Sequence, residues 1–209
     1  MTSSNKPSKT AQTCEATNPW QTVSSRPIYQ NPWIKIVEDQ VINPAGGEGI
    51  YGKVHFQNQA VAVIPVDENH YTYLVGQYRY VLDQYSWEIP EGGAPHGEDP
   101  LDCAKRELQE ETGLRAKNWQ QLLHLHLSNS VTDEAGYVYL AQGLEQGEQD
   151  LEDTEDIQVR HLPLSEALAM CLDGRITDAL TITSLMRLAL MRPEWFDAVD
   201  TSITPEQPI

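Results

Sequence analysis

The residues best placed to do chemistry are three glutamates spaced to share one face of a helix. Glu107 and Glu111 stand an i,i+4 step apart, Glu110 lies at i+3, and Arg106 directly precedes them. At about 100° per residue, these carboxylates fall on the side opposite Leu101, Ala104 and Leu108. Like charges at this spacing cost an isolated helix roughly 0.2–0.5 kcal/mol per pair. A divalent cation reverses that sign, because hard oxygen ligands on one face suit Mg2+ or Mn2+. Arg106 is spaced to orient Glu110 and leave its neighbours for metal. An acidic helix face is more commonly just solvated, but the approach to this one is unusual. A Gly- and Pro-rich loop runs from Gly92 to Asp99, a good N-cap. Pro100 then suits the first helical position, and Gly113 suits a left-handed exit.

The spacing resembles the Nudix box, G-x5-E-x7-R-E-U-x-E-E-x-G-U with U aliphatic. Gly92, Glu98, Arg106, Glu107, Leu108, Glu110, Glu111, Gly113 and Leu114 match its fixed positions. The resemblance implies an α/β fold, the Nudix α/β/α sandwich with a mixed sheet, and metal-dependent hydrolysis of a diphosphate linked to another moiety. It implies Glu107 and Glu111 as metal ligands, with Glu110 a further ligand or water-holder. The backbone carbonyl of Glu91 would join them, and Arg106 and Glu98 would brace the loop. The cofactor implied is Mg2+ or Mn2+.

The elements that must position these groups can be read in order. Residues 26–56 alternate apolar and polar positions, with a turn at Pro44, Gly46 and Gly47, and read as an antiparallel meander. The ADP-ribose pyrophosphatase branch of the family often dimerises through such an extension, so the resemblance implies a homodimer. Ala60 to Val66 is apolar throughout, as for a strand buried on both faces. Tyr71 to Gln77 follows as a second strand. Arg79, just beyond it, can grip a diphosphate by paired hydrogen bonds, or can equally be a surface arginine ending a strand. Similar Gln-x-Arg segments in the same branch favour the first reading. Gln84 to Ile89 leads into Pro90-Glu91-Gly92, the strand-to-loop-to-helix context that brings backbone near phosphate and metal. Glu88, on this approach, is a further candidate substrate contact, whereas Trp87 reads as core.

Beyond the helix, Trp119 to Leu127 reads as a strand on which His124 and His126 alternate with leucines. Two histidines without a third ligand make a poor zinc site. The branch commonly carries Ser-Pro-Gly-Gly-x-x-Glu at the next position. Ser128 and Glu134 keep its ends here, and Asn129, Ser130 and Val131 replace its centre. Glu134 is accordingly a candidate substrate contact, and ADP-ribose is joined by related nucleotide sugars as candidate substrates. Residues 143–156 form an acidic loop. The resemblance places there a late carboxylate that binds metal or takes the proton of the attacking water. Glu155 matches best and Asp153 second. A strand from Ile157 to Leu164, a helix capped by Ser165 and a helix from Asp178 to Met191 close the domain. Gly174 to Ala179 (Gly-x-Ile-x-Asp-Ala) also resembles the branch.

Length and composition agree with this organisation. The 209 residues, 40% of them hydrophobic, suffice for one globular domain with extensions. The expected division is a flexible tail over 1–25, a strand extension over 26–58, a Nudix domain over 59–192 and a C-terminal tail over 193–209. No run reaches the ~18 apolar residues of a membrane span, and the start lacks the apolar segment of a secretory signal. Cys14, Cys103 and Cys171 form no close pair and read as reduced thiols of a cytoplasmic protein. A formal net charge of −17 speaks against nucleic-acid binding. It would also repel a diphosphate at long range, so attraction must come from metal ions and a few arginines at short range. Other readings are a Nudix enzyme for dinucleoside polyphosphates or nicotinamide dinucleotides, and a non-catalytic ADP-ribose-binding module. A diphosphate isomerase would need a catalytic Cys and Glu pair that is not apparent.

Overall fold

The computed structural model describes residues 17–149 and 156–196. Three strands come first: β1 (Gln21–Gln30), β2 (Ile34–Ile42) and β3 (Glu48–Phe56), paired antiparallel in that order. β1 begins inside the stretch expected to be a flexible tail. Only β2 buries a full alternating face, through Val37, Asp39 and Val41. Asp39 tolerates this because Lys53 Nζ lies 2.5 Å away and the Ser25 hydroxyl donates to it. Asn43 Oδ1 accepts from the Ala45 and Gly47 amides and Gly46 takes φ 86°, making the expected turn.

The second sheet holds β4 (Asn58–Val66), β5 (Tyr71–Arg79), β6 (Gln84–Glu88), β7 (Glu91–Pro95), β8 (Leu114–His126), β9 (Ala135–Gln146) and β10 (Gln158–Pro163). Its main path runs β10-β5-β4-β9-β8, with β6 on β5 and β7 on β4. β4 and β9 are parallel and the other pairs antiparallel, so the sheet is mixed. β4 and β5 meet only at Val66 and Thr72, close to their hairpin. Beyond that point they fork. β6 lines the β5 arm, β7 lines the β4 arm, and Ile89-Pro90 crosses between them, with the Val63 amide donating to the Pro90 carbonyl at 2.8 Å. The fork opens the cleft described below.

Helices cover both faces. α1 (Pro100–Thr112) lies over one, burying Cys103, Ala104 and Leu108 against Val61, Val63 and Ala141. α2 (Leu164–Leu172) and α3 (Ala179–Met191) cover the other, where Ala62, Ile64 and Val66 meet Leu164, Leu185 and Leu188. Alternate residues of β4 thus enter two different cores, which is why its sequence is apolar throughout. Asp99 caps α1 by accepting the Leu101 amide at 2.8 Å, and Gly113 exits at φ 71°. α2 starts one residue before its expected cap: Pro163 occupies that place with extended backbone, and Ser165 lies inside the first turn. Trp195 and Phe196, expected in the C-terminal tail, pack against the α2/α3 core after a short turn at Pro193–Trp195.

Candidate active site

Two sets of carboxylates face each other across the loop between β6 and α1. On the helix side, Glu111 is 1% exposed and Glu107 is 6% exposed, although both are acids on a helix face. Glu111 accepts the Glu91 amide at 2.9 Å. Glu107 lies directly over Gly92, where a Cβ would stand 2.1–2.4 Å from its carboxylate atoms. Only glycine permits that approach. Arg106 ties the arrangement together: Nη1 reaches Glu107 at 2.7 Å and Glu110 at 2.8 Å. Its Nη2 donates to the Gly93 carbonyl and to Glu98, both at 3.3 Å. Burial opposes its charge, but the surrounding acids outweigh that and raise its pKa further.

On the sheet side, Arg79 ends β5 and pairs with Glu88 and, at 2.6 Å, with Glu91. Glu88, Glu91 and Asp178 each offer an oxygen within 4.8 Å of the others. Asp178 belongs to the α3 N-cap and accepts the Thr181 amide at 2.7 Å. One turn further, Thr181 Oγ1 accepts the Ile89 amide at 3.0 Å and pins the crossing segment to α3. Burial, then repulsion from Asp178 and Glu88, holds the Glu91 carboxyl well above the usual range despite Arg79.

The sheet-side set lines a cleft of about 720 Å3, with Arg79, Glu88, Glu91, Glu134 and Asp178 in its wall. A second space of about 580 Å3 is bounded by Glu98, Arg106 and Glu107. Trp33, Asn58, Gly92 and Gly93 border both. Glu134 is partly buried, and burial raises its pKa. The altered segment before it is zipped to β3. Val54 donates to the Val131 carbonyl at 2.9 Å, the Tyr51 hydroxyl to Ser130 at 2.7 Å, and the Phe56 amide to Asp133 at 3.0 Å, while His55 pairs with Asp133 at 2.5 Å.

The structure therefore brings together Arg79, Glu88, Glu91, Arg106, Glu107, Glu110, Glu111 and Glu134, and Glu155 lies outside the described residues, as does Asp153. Glu110 is turned toward Arg106 at the rim. Asp178 shows in the sequence only as a helix start and as part of the Gly-x-Ile-x-Asp-Ala segment, which is the signal for it. Trp33, which in sequence belongs only to the meander, borders the site from the turn between β1 and β2. His124, instead of offering a metal ligand, stacks on Tyr137 with ring centres 4.6 Å apart.

The donor set suits a divalent cation. It consists of hard carboxylate and carbonyl oxygens, and Glu91 Oε2 is buried with no hydrogen-bond partner. Residues 57–182 match the family described as the NUDIX domain, and residues 20–54 match the nucleoside diphosphate sugar hydrolase N-terminal domain. The chain belongs to the Nudix family. Among its relatives, an ADP-ribose pyrophosphatase of Mycobacterium tuberculosis is 34% identical over 196 residues, covering 87% of this chain and 94% of the relative. A methanol dehydrogenase activator of Bacillus methanolicus is 32% identical over 172 residues, covering 81% and 92%. A crystal structure of an ADP compounds hydrolase superposes with a TM-score of 0.77 at 17% identity, covering 86% of this chain and 97% of that one. The Nudix box thus sits on the fold the resemblance implied, and the chain is a pyrophosphatase of that family.

Proposed function

We propose that this Nudix enzyme hydrolyses the diphosphate linkage of ADP-ribose or a related nucleoside diphosphate sugar to two monophosphates, using Mg2+ or Mn2+. The observation that carries this reading is the burial of Glu107 and Glu111 against the Glu91-Gly92 backbone, at the edge of a cleft holding Arg79. Buried acids are costly unless charge meets them.

In this reading Glu107, Glu111, the Glu91 carbonyl and Glu110 hold divalent ions, with Glu155 a further ligand or the group that takes the proton of the attacking water. Bound there, the metal neutralises diphosphate charge and lowers the pKa of a water. Arg106 keeps Glu107 and Glu110 aimed at the loop while tying it through Gly93 and Glu98. Arg79, steadied by Glu88, grips a phosphate, and Glu134 contacts the remaining part of the substrate. Water adds to one phosphorus in line, the bridging P–O bond breaks, and the leaving phosphate departs with the electron pair. The changed Ser128–Val131 segment supports extending the substrate class beyond ADP-ribose.

The reading includes a cytoplasmic homodimer acting on a small nucleotide rather than on nucleic acid or membrane. Among the described residues, no helix is long and apolar enough to cross a membrane. Dimerisation is supported by two exposed apolar strips: β1, with Val23, Ile28 and Tyr29, and the turn Tyr80-Val81-Leu82. Light scattering on the purified chain should give twice the monomer mass. The activity test is a Mg2+-dependent screen over ADP-ribose, nucleotide sugars, dinucleoside polyphosphates and nucleoside triphosphates, with Glu111→Gln as control. Turnover of nucleotide sugars that collapses in the variant supports the reading. Full activity in the variant removes the metal role.

A further inference from the structure

Arg79 is the cleft's guanidinium on the sheet side, yet its edges are not equally available. Glu88, 3% exposed, takes the Nε side with both oxygens, at 3.0 and 3.1 Å, and also receives Nη2. Glu91 Oε1 takes Nη2 as well, at 2.6 Å. Nη1 has no hydrogen-bond partner among the described residues. A phosphate is best gripped by two guanidinium nitrogens at once. With the Nε side filled, the remaining two-nitrogen edge is Nη1 and Nη2, and Glu91 holds half of it.

We propose that the Glu91 side chain is an affinity-determining competitor for Arg79, which a diphosphate must displace to gain a two-point contact. The inference rests on the reading of this cleft as a diphosphate site. Two considerations give the direction of the effect. Glu88 makes three contacts with the guanidinium and fixes it without help, so removing Glu91 does not release Arg79. Glu91 also occupies the space beside Glu88 and Asp178, within 4.8 Å of both, where phosphate must sit. The side chain therefore weakens phosphate binding at this edge, and its removal tightens it. That is opposite in sign to the loss expected of a brace.

The test is calorimetric titration of metal-free protein in EDTA with two probes, ADP-ribose and inorganic pyrophosphate. Wild type, Glu91→Ala, Glu91→Gln, Arg79→Ala and the Glu91→Ala/Arg79→Ala double variant are compared, with thermal melts to check folding. Glu91→Ala should bind both probes about tenfold tighter than wild type, the scale of one charge-assisted contact regained. Glu91→Gln should fall between them, and the double variant should return to the level of Arg79→Ala. Unchanged or weaker binding by Glu91→Ala and Glu91→Gln overturns the proposal. So does a gain that survives without Arg79, since that is charge relief alone, and so does a failure of every variant to bind either probe. Tighter pyrophosphate binding with no ADP-ribose binding by any variant leaves the role of Glu91 standing and removes the nucleotide-sugar reading.

Discussion

The two walls of the site, one on the cleft and one on the space beside it, use the same device at different ranges. On the helix wall, Arg106 holds Glu98, Glu107 and Glu110, all within eight residues of it. On the sheet wall, Arg79 is seated by Glu88 and Glu91 beside Asp178, which arrives from α3. The first wall is a property of one loop and helix. The second exists only because β4 and β5 fork and α3 docks over the crossing segment. The helix wall should therefore tolerate loosening of the rest of the molecule, whereas the sheet wall should fail with any contact that moves the fork.

That contrast can be broken or sharpened by substitution. Gly92→Ala should have the largest effect, because its Cβ would meet the Glu107 carboxylate at 2.1–2.4 Å. We expect kcat/KM to fall roughly 10^3-fold, equivalent to about 4 kcal/mol of lost transition-state stabilisation. Steady-state kinetics beside a normal melting curve would show it. Arg79→Ala should instead raise KM by tens of fold, on the scale of one charge-assisted phosphate contact, read in the same assay. Thr181→Val removes the acceptor of the buried Ile89 amide without changing shape much. It should cost about 1–3 kcal/mol of stability in a denaturant titration, with Thr181→Ser restoring it. If this variant disturbs KM less than a remote core change of equal cost, the sheet wall is less dependent on α3 than described.

The smallest effect concerns thiols. Burial, with Glu107 next and Arg106 opposing, pushes Cys103 up to about 12, and burial with Asp173 and Asp178 does the same for Cys171. Both folded values lie above the ordinary 9.0. The neutral thiols thus contribute stability below pH 9 that is lost as pH rises from there toward 12. At pH 8 both thiols are therefore protonated in the fold. Ellman's reagent should leave both unmodified in the native protein and react with them after unfolding.

The same contrast explains what was legible in the sequence. The box helix, its cap at Asp99, its exit at Gly113 and the strands about the loop follow from local periodicity and spacing, and each stands where local chemistry puts it. The Glu91 side chain, Asp178 and Trp33 reach the cleft, and Thr181 supports it from beneath, through pairings set by the whole fold, such as the Ile89–Thr181 bond across 92 residues. No local pattern encodes these pairings, although the Gly-x-Ile-x-Asp-Ala segment marks Asp178 itself. The start of β1 at Gln21 leaves no mark in the sequence because every residue in the strand is exposed, so no buried face imposes alternation. Ser165 was a reasonable cap by type, but Pro163 carries the chain into α2 ahead of it.

The central claim is that Glu107, Glu111 and the Glu91 carbonyl hold divalent ions. A crystal grown with Mn2+, with anomalous data collected at the manganese edge, tests it most directly. The account predicts anomalous peaks within coordination distance of those oxygens. Peaks elsewhere, with those oxygens bare, would contradict it.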